Sequence, residues 1–402
     1  MVLSMGLVLV GGFITGLIFE KIKLPKVIGM IFIGILLGPS LLNVIDGSLI
    51  QISPVLRQIA LVIILTRSGL SLDLKKLKEI GKPAILMCII PATLEIIGVL
   101  IFGPLILGIS IIESLLLGSV LAAVSPAIVV PRMIKLIKEG YGKDKNVPEL
   151  IMAGAAADDI YVIILFYAFL GLANGGELNT WALSQIPISI ILGIVLGVVT
   201  SLIVNPIFKK AQLSNTSKVL ILLGTSFLLI GFESLLEAYI SISALIAIIT
   251  LGVMIFLRNK EEAIKIERGY QKLWVFFEII LFVLVGISVD LNYAFSAGFA
   301  PIIVLLIALV FRSFGVYLSL LFTNLNKKEK LFIAISYLPK ATVQASIGGI
   351  ALSMNLSVGP LILTMAVLSI LITAPLGTLL MDNTYRKLLA NPFNDQEDMV
   401  II

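Results

Sequence analysis

Apolar residues run along the chain in blocks of about 20, separated by short polar connections. A block of this length is what an α-helix needs to cross a hydrocarbon core of about 30 Å. Thirteen blocks are therefore predicted as transmembrane spans, numbered 1 to 13 in chain order. Their approximate limits are 2–19, 24–44, 54–72, 83–107, 112–135, 148–173, 185–208, 217–235, 239–257, 272–290, 299–323, 331–354 and 359–381. The pattern predicts an all-α polytopic membrane protein.

The basic residues are sorted between alternate connections. Twenty-five of the 29 Lys and Arg residues lie in or beside the connections that follow the odd-numbered spans, including the C-terminal tail, and the other connections hold none. By the positive-inside rule, the basic segments are cytoplasmic. We therefore expect an outer N-terminus and an inner C-terminus. The same count supports thirteen spans, because one missing or extra span would disturb the alternation.

Composition narrows the class of protein. The chain is 59% hydrophobic and 13% charged, whereas an average soluble domain has about 25% charged residues, so a soluble globule is excluded. The net charge of +5 lies at membrane edges, where anionic headgroups at the cytoplasmic face are the expected contact and nucleic acid is not. With no His and one Cys, Cys88, the usual zinc and haem ligands are missing, and no cofactor is expected. The longest loops, 133–147 and 258–271, leave no room for a separate soluble domain.

A short motif is repeated across the chain. Span 3 ends in Gly-Leu-Ser-Leu-Asp-Leu at 69–74, and span 10 ends in Gly-Ile-Ser-Val-Asp-Leu at 286–291. The sequence separation of Gly69 and Gly286 is called here the repeat interval. It corresponds to seven spans, and an odd number inverts the second copy relative to the membrane. Inverted repeats are typical of secondary transporters, in which the transport site lies near the midplane at the repeat interface. The alternative is chance similarity between two apolar segments.

Two spans at matched positions in the repeats carry helix-breaking residues. Pro126 interrupts span 5, and Pro339 interrupts span 12. Proline within a helix removes one backbone hydrogen bond, and exposed backbone at membrane depth is tolerated only where it lines a cavity. Matched interruptions in two halves indicate a transport site. The alternative is a pair of ordinary proline kinks.

Charged residues inside the spans mark candidate functional positions, because each costs about 2.5–3.5 kcal/mol unless it is paired or hydrated. Asp158 and Asp159 are adjacent in span 6 and follow four small residues at 154–157. Neighbouring helical residues point about 100° apart, so one carboxylate is able to face a cavity while the other meets a neighbouring helix.

Glu95 and Arg312 are separated by the repeat interval and carry opposite charges. We expect them to form a buried ion pair, whose role is either structural or mechanistic. Lys340 follows Pro339 directly and is expected to neutralise a half-helix C-terminus, where the dipole is negative. Glu278, one or two turns into span 10, is either a site residue or an interfacial one. Arg57 and Arg67 are interpreted as snorkelling side chains or headgroup contacts.

These motifs together resemble the cation:proton antiporter superfamily over essentially the whole chain. The resemblance rests on Leu-Pro-Lys-Val-Ile-Gly at 24–29, the Ser125–Pro126 break, the tandem aspartates, Phe-Arg-Ser-Phe-Gly at 311–315 and Leu-Pro-Lys-Ala-Thr-Val-Gln-Ala at 338–345. The last motif is most similar to the NHA branch of sodium/proton exchangers and its bacterial relatives. The tandem aspartates are shared with the NhaA and NapA types.

The resemblance implies a site and a function. Asp159 would bind the cation and carry the proton, with Asp158 beside it, and Ser125 with backbone carbonyls would complete an oxygen shell for Na⁺ or Li⁺. Thr342 is a further candidate at the second break. The chain would then be a secondary antiporter that exchanges Na⁺ or Li⁺ for H⁺ by alternating access, and not an enzyme.

The resemblance also implies an NhaA-like architecture. Core helices would lie at 83–173 and 299–381, dimerisation helices at 1–72 and 217–290, a linker helix at 185–208 and a short cytoplasmic tail at 382–402. The expected assembly is a homodimer in a prokaryotic cell membrane.

One position departs from the NhaA and NapA pattern. Those types carry a lysine that is able to release its proton, whereas this chain has Arg312, a guanidinium that stays protonated. Their two-proton, electrogenic stoichiometry is therefore not transferred to this chain.

Two alternative functions remain open from the sequence. One is a K⁺/H⁺ antiporter or K⁺ efflux system of the same superfamily. The remote one is an intramembrane aspartyl protease, which would need two aspartates on separate helices.

Overall fold

A computed structural model of the chain describes residues 1–73, 75, 80–175, 180–210, 213–236 and 242–390. These residues form α-helices joined by short connections, and no β-strand occurs among them. Within the same ranges, ten helical segments are long and apolar enough to cross a membrane, and one of them, Ile111–Glu139, is interrupted. The predicted class, an all-α multi-pass membrane protein, is confirmed.

The described helices are numbered α1 to α17 in chain order. Their bounds are Val2–Lys21, Lys26–Leu37, Gly47–Ser71, Lys82–Leu107, Ile111–Leu121, Pro126–Glu139, Val147–Gly175, Thr180–Lys210, Asn215–Leu236, Ala244–Arg258, Lys260–Ile287, Leu291–Ser296, Ala300–Ser319, Lys327–Ser336, Thr342–Ile347, Ile350–Ser353 and Gly359–Leu388.

Two predicted spans are interrupted in the structure. Span 5 is divided into α5 and α6, and span 12 is divided into α14, α15 and α16. Polar caps set the outer limits of these helices. Ser110 and Glu113 form a capping box at the start of α5, and Asn326 with Glu329 forms another at the start of α14. Each box satisfies backbone N–H groups that have no partner within the helix.

The limits of two predicted loops and of the tail are corrected by the structure. Most of the predicted loop 258–271 belongs to α11, which begins at Lys260 behind the side-chain cap of Asn259, and 133–139 belongs to α6. Hydropathy marks only the part of a helix that lies in lipid, whereas a capped and amphipathic helix continues beyond it. Likewise α17 ends at Leu388, within the predicted tail 382–402, and residues 391–402 lie outside the described part of the chain.

The helices pack into two bundles. The first bundle contains α4–α7 and α13–α17, and its closest pair is α4 with α13. The second bundle contains α1–α3 and α8–α11, in which α11 packs on α2 and α3 while α10 packs on α3 and α8.

Glycines set the closest helix crossings in the second bundle. Gly34 of α2 meets Gly286 of α11, and Gly69 of α3 meets Gly252 of α10. A Cβ added to any of the four would overlap backbone atoms of the opposite helix. Gly69 and Gly286 define the repeat interval, and Gly34 and Gly252 are separated by nearly the same interval. The repeat interval predicted from the sequence therefore also relates the glycines at these two crossings.

Candidate functional site

The interruptions of the two broken helices lie against each other. After α5 ends at Leu121, residues 122–125 are non-helical, and residues 338–341 are non-helical between α14 and α15. The Ser125 N–H donates to the Pro339 carbonyl oxygen at 2.8 Å, which joins the two segments. Pro126 occupies the first position of α6, where its missing N–H removes no helical bond.

The interruption leaves backbone carbonyls without helical partners, and at membrane depth each must be satisfied within the protein. Arg312, on α13, is fully buried and donates hydrogen bonds to two of these carbonyls. Its Nε donates to Tyr337 O at 2.7 Å, and its Nη1 donates to Ala122 O. One guanidinium thus meets the C-terminal ends of both α5 and α14, where the helix dipole is negative.

Lys340 and Gln344 meet the remaining carbonyls of α5. The Lys340 Nζ donates to Leu121 O, and the Gln344 amide donates to Ala123 O at 2.9 Å. The sequence predicts that Lys340 neutralises a half-helix C-terminus, without indicating which helix. In the structure Lys340 lies at the C-terminus of α5, which belongs to the other interrupted span.

Two carboxylates complete the cluster. Glu95 of α4 forms ion pairs with Arg312 at 2.9 Å and with Lys340 at 2.7 Å, and Asp158 of α7 pairs with Arg312 at 2.8 Å. All four side chains have no solvent exposure. Two carboxylates face two cations, so the charges of this group, called here the balanced cluster, sum to zero.

Asp158 and Asp159 lie in different surroundings. The Asp158 Oδ2 accepts the Val124 N–H at 2.8 Å in addition to its pairing with Arg312, so this carboxylate fixes the non-helical segment of span 5. Asp159 is 4% exposed and has no hydrogen bond or ion pair in the part of the chain that the structure describes. It is therefore a buried carboxylate whose charge is not matched by a paired cation.

Several buried oxygen atoms near the crossing have no hydrogen-bond partner among the described residues. They are Asp158 Oδ1, Asp159 Oδ1, Ser125 Oγ, Thr342 Oγ1 and Gln344 Oε1. A buried acceptor without a partner costs free energy, and such oxygen atoms are the ligands that hard cations prefer. The arrangement suits a small cation that has lost part of its water.

The structure brings most of the predicted site residues to this crossing and leaves one apart. Those at the crossing are Glu95, Ser125, Pro126, Asp158, Arg312, Pro339, Lys340 and Thr342, and Asp159 follows Asp158 directly on α7. Glu278 lies on α11 of the second bundle and is half-buried.

Sequence reasoning gave no role to Gln344 or Tyr337. The Gln344 amide binds carbonyls of α5, and the Tyr337 ring lies 5.4 Å from the Arg312 guanidinium carbon while its hydroxyl fills the space beside Gly154. Gln344 lies within the motif at 338–345 and Tyr337 directly precedes it, which was the available signal. Arg57, interpreted as a snorkelling side chain or headgroup contact, is instead buried within the protein and 7% exposed. Arg67 is partly exposed and pairs with Glu267 at 2.8 Å.

Comparison with known proteins agrees with this geometry. The profile of the family described as "Sodium/hydrogen exchanger, transmembrane" matches residues 6–382. Sodium/hydrogen exchanger 9B2 of Homo sapiens is 34% identical over 396 residues, which cover 92% of this chain and 71% of the relative. Sodium/hydrogen exchanger 9B1 of Homo sapiens is 34% identical over 358 residues, covering 85% and 68%.

A solved structure matches the fold. The sodium proton antiporter MjNhaP1 from Methanocaldococcus jannaschii, determined at pH 8, superposes with a TM-score of 0.81 at 21% identity and covers 96% of this chain and 97% of its own. Fold and site therefore define a secondary transporter of the cation:proton antiporter superfamily.

The chain belongs to the sodium/hydrogen exchanger family. The predictions of this superfamily, of sodium/proton antiport and of a transporter rather than an enzyme are confirmed at the level of the family. The comparisons do not favour the potassium alternative. A protease dyad would need two carboxylates that share one proton, whereas Asp158 is paired with Arg312.

Proposed function

We propose that this exchanger moves Na⁺, or Li⁺, in exchange for H⁺ through competition of the two ions for Asp159. The observation that carries the proposal is the charge distribution at the crossing. Glu95 and Asp158 are matched by Arg312 and Lys340, which leaves the Asp159 carboxylate with one unmatched negative charge. Either ion neutralises that charge.

Neutralisation couples the two fluxes. Moving a bare carboxylate across a barrier of low dielectric constant is costly, so the site crosses when it carries a proton or a cation and not when it is empty. Each crossing with Na⁺ in one direction is therefore balanced by a crossing with H⁺ in the other. This condition defines exchange by alternating access.

Oxygen atoms around Asp159 would complete the cation's shell. Ser125 stands at the start of α6 and Thr342 at the start of α15, separated by the repeat interval, and both hydroxyls lack a hydrogen-bond partner among the described residues. The free Oδ1 of Asp158 is a third candidate ligand. Asp158 acts mainly by holding the non-helical segment in place, since its other oxygen is already bonded.

The same charge distribution favours one proton per sodium. Arg312 retains its proton at any physiological pH, and Asp158 and Lys340 are each held in ion pairs. Asp159 is then the group that changes its occupant, and exchange is electroneutral.

The proposed topology has thirteen spans, with the N-terminus outside and the C-terminus inside, built from two inverted repeats. The sorting of Lys and Arg supports the orientation. The related glycine crossings in the second bundle support the repeats, and so does the reciprocal packing of α4 and α13. There Gly98 lies against Phe311, and Gly315, which follows Gly98 by the repeat interval, lies against Pro91.

The two bundles would have different roles. In the first bundle, 83–173 and 299–381 form the core that carries the ion. In the second, 1–72 and 217–290 form the dimerisation domain of a homodimer, with 185–208 as the linker. The presence of the balanced cluster and Asp159 within the first bundle supports the division.

The remaining expectations concern the surroundings of the protein. The chain would function in a prokaryotic cell membrane, with anionic headgroups at its basic cytoplasmic face and with no nucleic-acid partner. It would need no cofactor beyond the transported ions.

Exchange in proteoliposomes tests the proposal. Dissipation of an imposed pH gradient is measured after addition of Na⁺, Li⁺ or K⁺, with the membrane potential clamped or free. We expect Na⁺ and Li⁺ to dissipate the gradient at a rate that is independent of the clamp. Asp159→Asn should show background rates while remaining monodisperse and folded.

Glu278→Gln is the matched control, because it also neutralises an acidic residue in a long apolar helix but lies in the second bundle. It should retain exchange. Exchange that persists in Asp159→Asn would overturn the assignment of the site, and a rate set by the membrane potential would overturn the one-for-one stoichiometry.

A further inference from the structure

A second polar region lies between the two bundles, apart from the balanced cluster. It is a cavity of about 740 Å³ with an open side. Its walls come from α3, α8, α9 and α10 of the second bundle and from α7, α15 and α16 of the first. The lining residues lie towards the helix ends that adjoin connections without Lys or Arg, so in the proposed topology the cavity opens to the outer side.

The cavity leads towards the proposed ion site. One lining residue, Ile164, follows Asp159 by five positions on α7, and another, Ser346, follows Thr342 by four positions on α15. At 1.5 Å per residue, these separations correspond to about 6–8 Å along each helix. An ion that approaches Asp159 from this side therefore passes through the cavity.

Arg57 gives this cavity an unusual charge. Its side chain is 7% exposed, lines the cavity from α3, and leaves Nη1 without a hydrogen-bond partner among the described residues. The guanidinium lies so close to Gly349 that a Cβ there would overlap Nη1. An Arg that is buried without a partner is costly for stability, and it also places a positive charge on a route for cations.

Glu233 contributes the opposite charge to the same cavity. It lies on α9, is half-buried, and lines the cavity together with Tyr167 of α7. A cleft with low-dielectric walls focuses the field of the charges that line it and changes the local concentration of ions. The balance of Arg57 and Glu233 therefore sets how readily a cation occupies the cavity.

We propose that Arg57 is an affinity-determining residue of the exchanger, whose charge weakens cation capture and favours cation release on the side where this cavity opens. Glu233 opposes it. The inference rests on the proposed function, because it takes Asp159 as the ion site. Arg57 belongs to the second bundle and Asp159 to the first, so the effect is confined to the state in which the site faces the cavity. Arg57 thereby makes the apparent affinity for the cation different on the two sides of the membrane.

The test measures the apparent KM for Na⁺ separately on each side, in right-side-out and inverted vesicles of the full chain at constant ionic strength. In Arg57→Gln, the KM on the cavity side should fall about tenfold, with the KM on the opposite side unchanged. Arg57→Lys should retain the wild-type value, and Glu233→Gln should raise the KM on the cavity side.

A second variant leaves the buried guanidinium in place and so avoids its effect on folding. Gln58 is exposed and lines the cavity, so Gln58→Glu adds a negative charge with little change of shape. It should lower the KM on the cavity side by about threefold. Gln51→Glu is the matched control, since Gln51 is exposed on the same helix but is not among the residues that line the cavity.

Salt provides an independent readout. Raising the choline chloride concentration shortens the Debye length to about 3 Å at 1 M, and the differences in KM of Arg57→Gln and Gln58→Glu from wild type should then shrink. A merely structural role for Arg57 would not respond in this way.

Two results would overturn the inference: a KM on the cavity side that is unchanged in both Arg57→Gln and Gln58→Glu, or an equal change on both sides. These results are distinct from failure of the proposed function. That failure is exchange which persists in Asp159→Asn, whatever the KM values on the two sides.

Discussion

Asp158 and Asp159 are neighbours in the chain, yet their carboxylates lie in two regions of the molecule that differ in charge: one region supplies a paired cation and the other does not. Asp158 reaches the balanced cluster, where Arg312 and the Val124 N–H hold it. Asp159, the next residue of α7, is 4% exposed and has no such partner among the described residues. Because successive helical residues point about 100° apart, two adjacent positions of α7 are sufficient to place the carboxylates in different environments.

This difference in pairing distinguishes the residues that hold the site together from Asp159, the residue proposed to bind the transported ions. A carboxylate that is already paired with a guanidinium and an N–H donor is stabilised little by binding a proton or Na⁺. An unpaired buried carboxylate gains a great deal from either, because its bare charge is costly. Substitutions in the balanced cluster and substitution of Asp159 should therefore have different consequences for transport and for stability.

The largest expected effect contrasts the two aspartates. Asp159→Asn should abolish exchange and also the thermal stabilisation by Na⁺, while its melting temperature without Na⁺ equals or exceeds that of the wild type, since an unpaired charge has been removed. Asp158→Asn should lower the melting temperature. Thermal shift assays with and without Na⁺ check both, and a lower melting temperature in Asp159→Asn would contradict the comparison.

The next effect concerns the balanced cluster. Arg312→Gln removes the partner of two carboxylates and two carbonyls, and we expect a loss of about 3–5 kcal/mol in unfolding free energy, as is usual when one member of a buried ion pair is removed. Lys340→Gln should cost less, because Glu95 keeps Arg312. Glu95→Gln should fall between them. Chemical denaturation in detergent gives the order, and equal losses in all three would argue against Arg312 as the centre of the cluster.

A smaller effect is expected at the crossing itself. Ser125→Ala and Thr342→Ala each remove one uncharged oxygen from the proposed cation shell. A hydrogen bond or similar polar contact contributes about 0.5–1.5 kcal/mol, so the apparent Na⁺ affinity should fall by about two- to tenfold in each. Isothermal titration with Na⁺ measures the change. A loss of stability without a loss of affinity would make the two hydroxyls structural.

The smallest effect is expected away from both regions. Glu278→Gln should change the exchange rate by less than about twofold, because Glu278 lies in the second bundle and has no contact with the balanced cluster among the described residues. Side-by-side exchange assays with wild type check this. A loss of exchange would make Glu278 a second proton carrier.

Much of this arrangement could be predicted from the sequence. The Glu95–Arg312 pair followed from its separation by the repeat interval, because an internal repeat carries information about distant contacts that composition lacks. The interruptions followed from Pro126 and Pro339 for the same reason. The limits of α11 did not follow, since hydropathy reports the lipid-embedded part of a helix and not its cap at Asn259.

Other contacts required the structure. The bond from Lys340 to Leu121 O joins residues 219 positions apart whose pairing no repeat or motif marks. The Gln344 contacts with α5 and the burial of Arg57 have the same origin. All three depend on how the half-helices cross and how the bundles face each other, and one amino-acid sequence does not express that geometry in any local pattern.

The position of Arg312 late in the chain has a consequence for biosynthesis. Glu95 and Asp158 are synthesised 217 and 154 residues before it. At about 5–20 residues per second, Glu95 waits roughly 10–40 seconds for its first cation. During that interval, both carboxylates enter the bilayer as neutral acids or with water, since neither partner yet exists. The first bundle therefore forms its buried ion pairs only when α13 and α14 are inserted. The last third of the chain thus sets the time at which the carboxylates of the first half are paired.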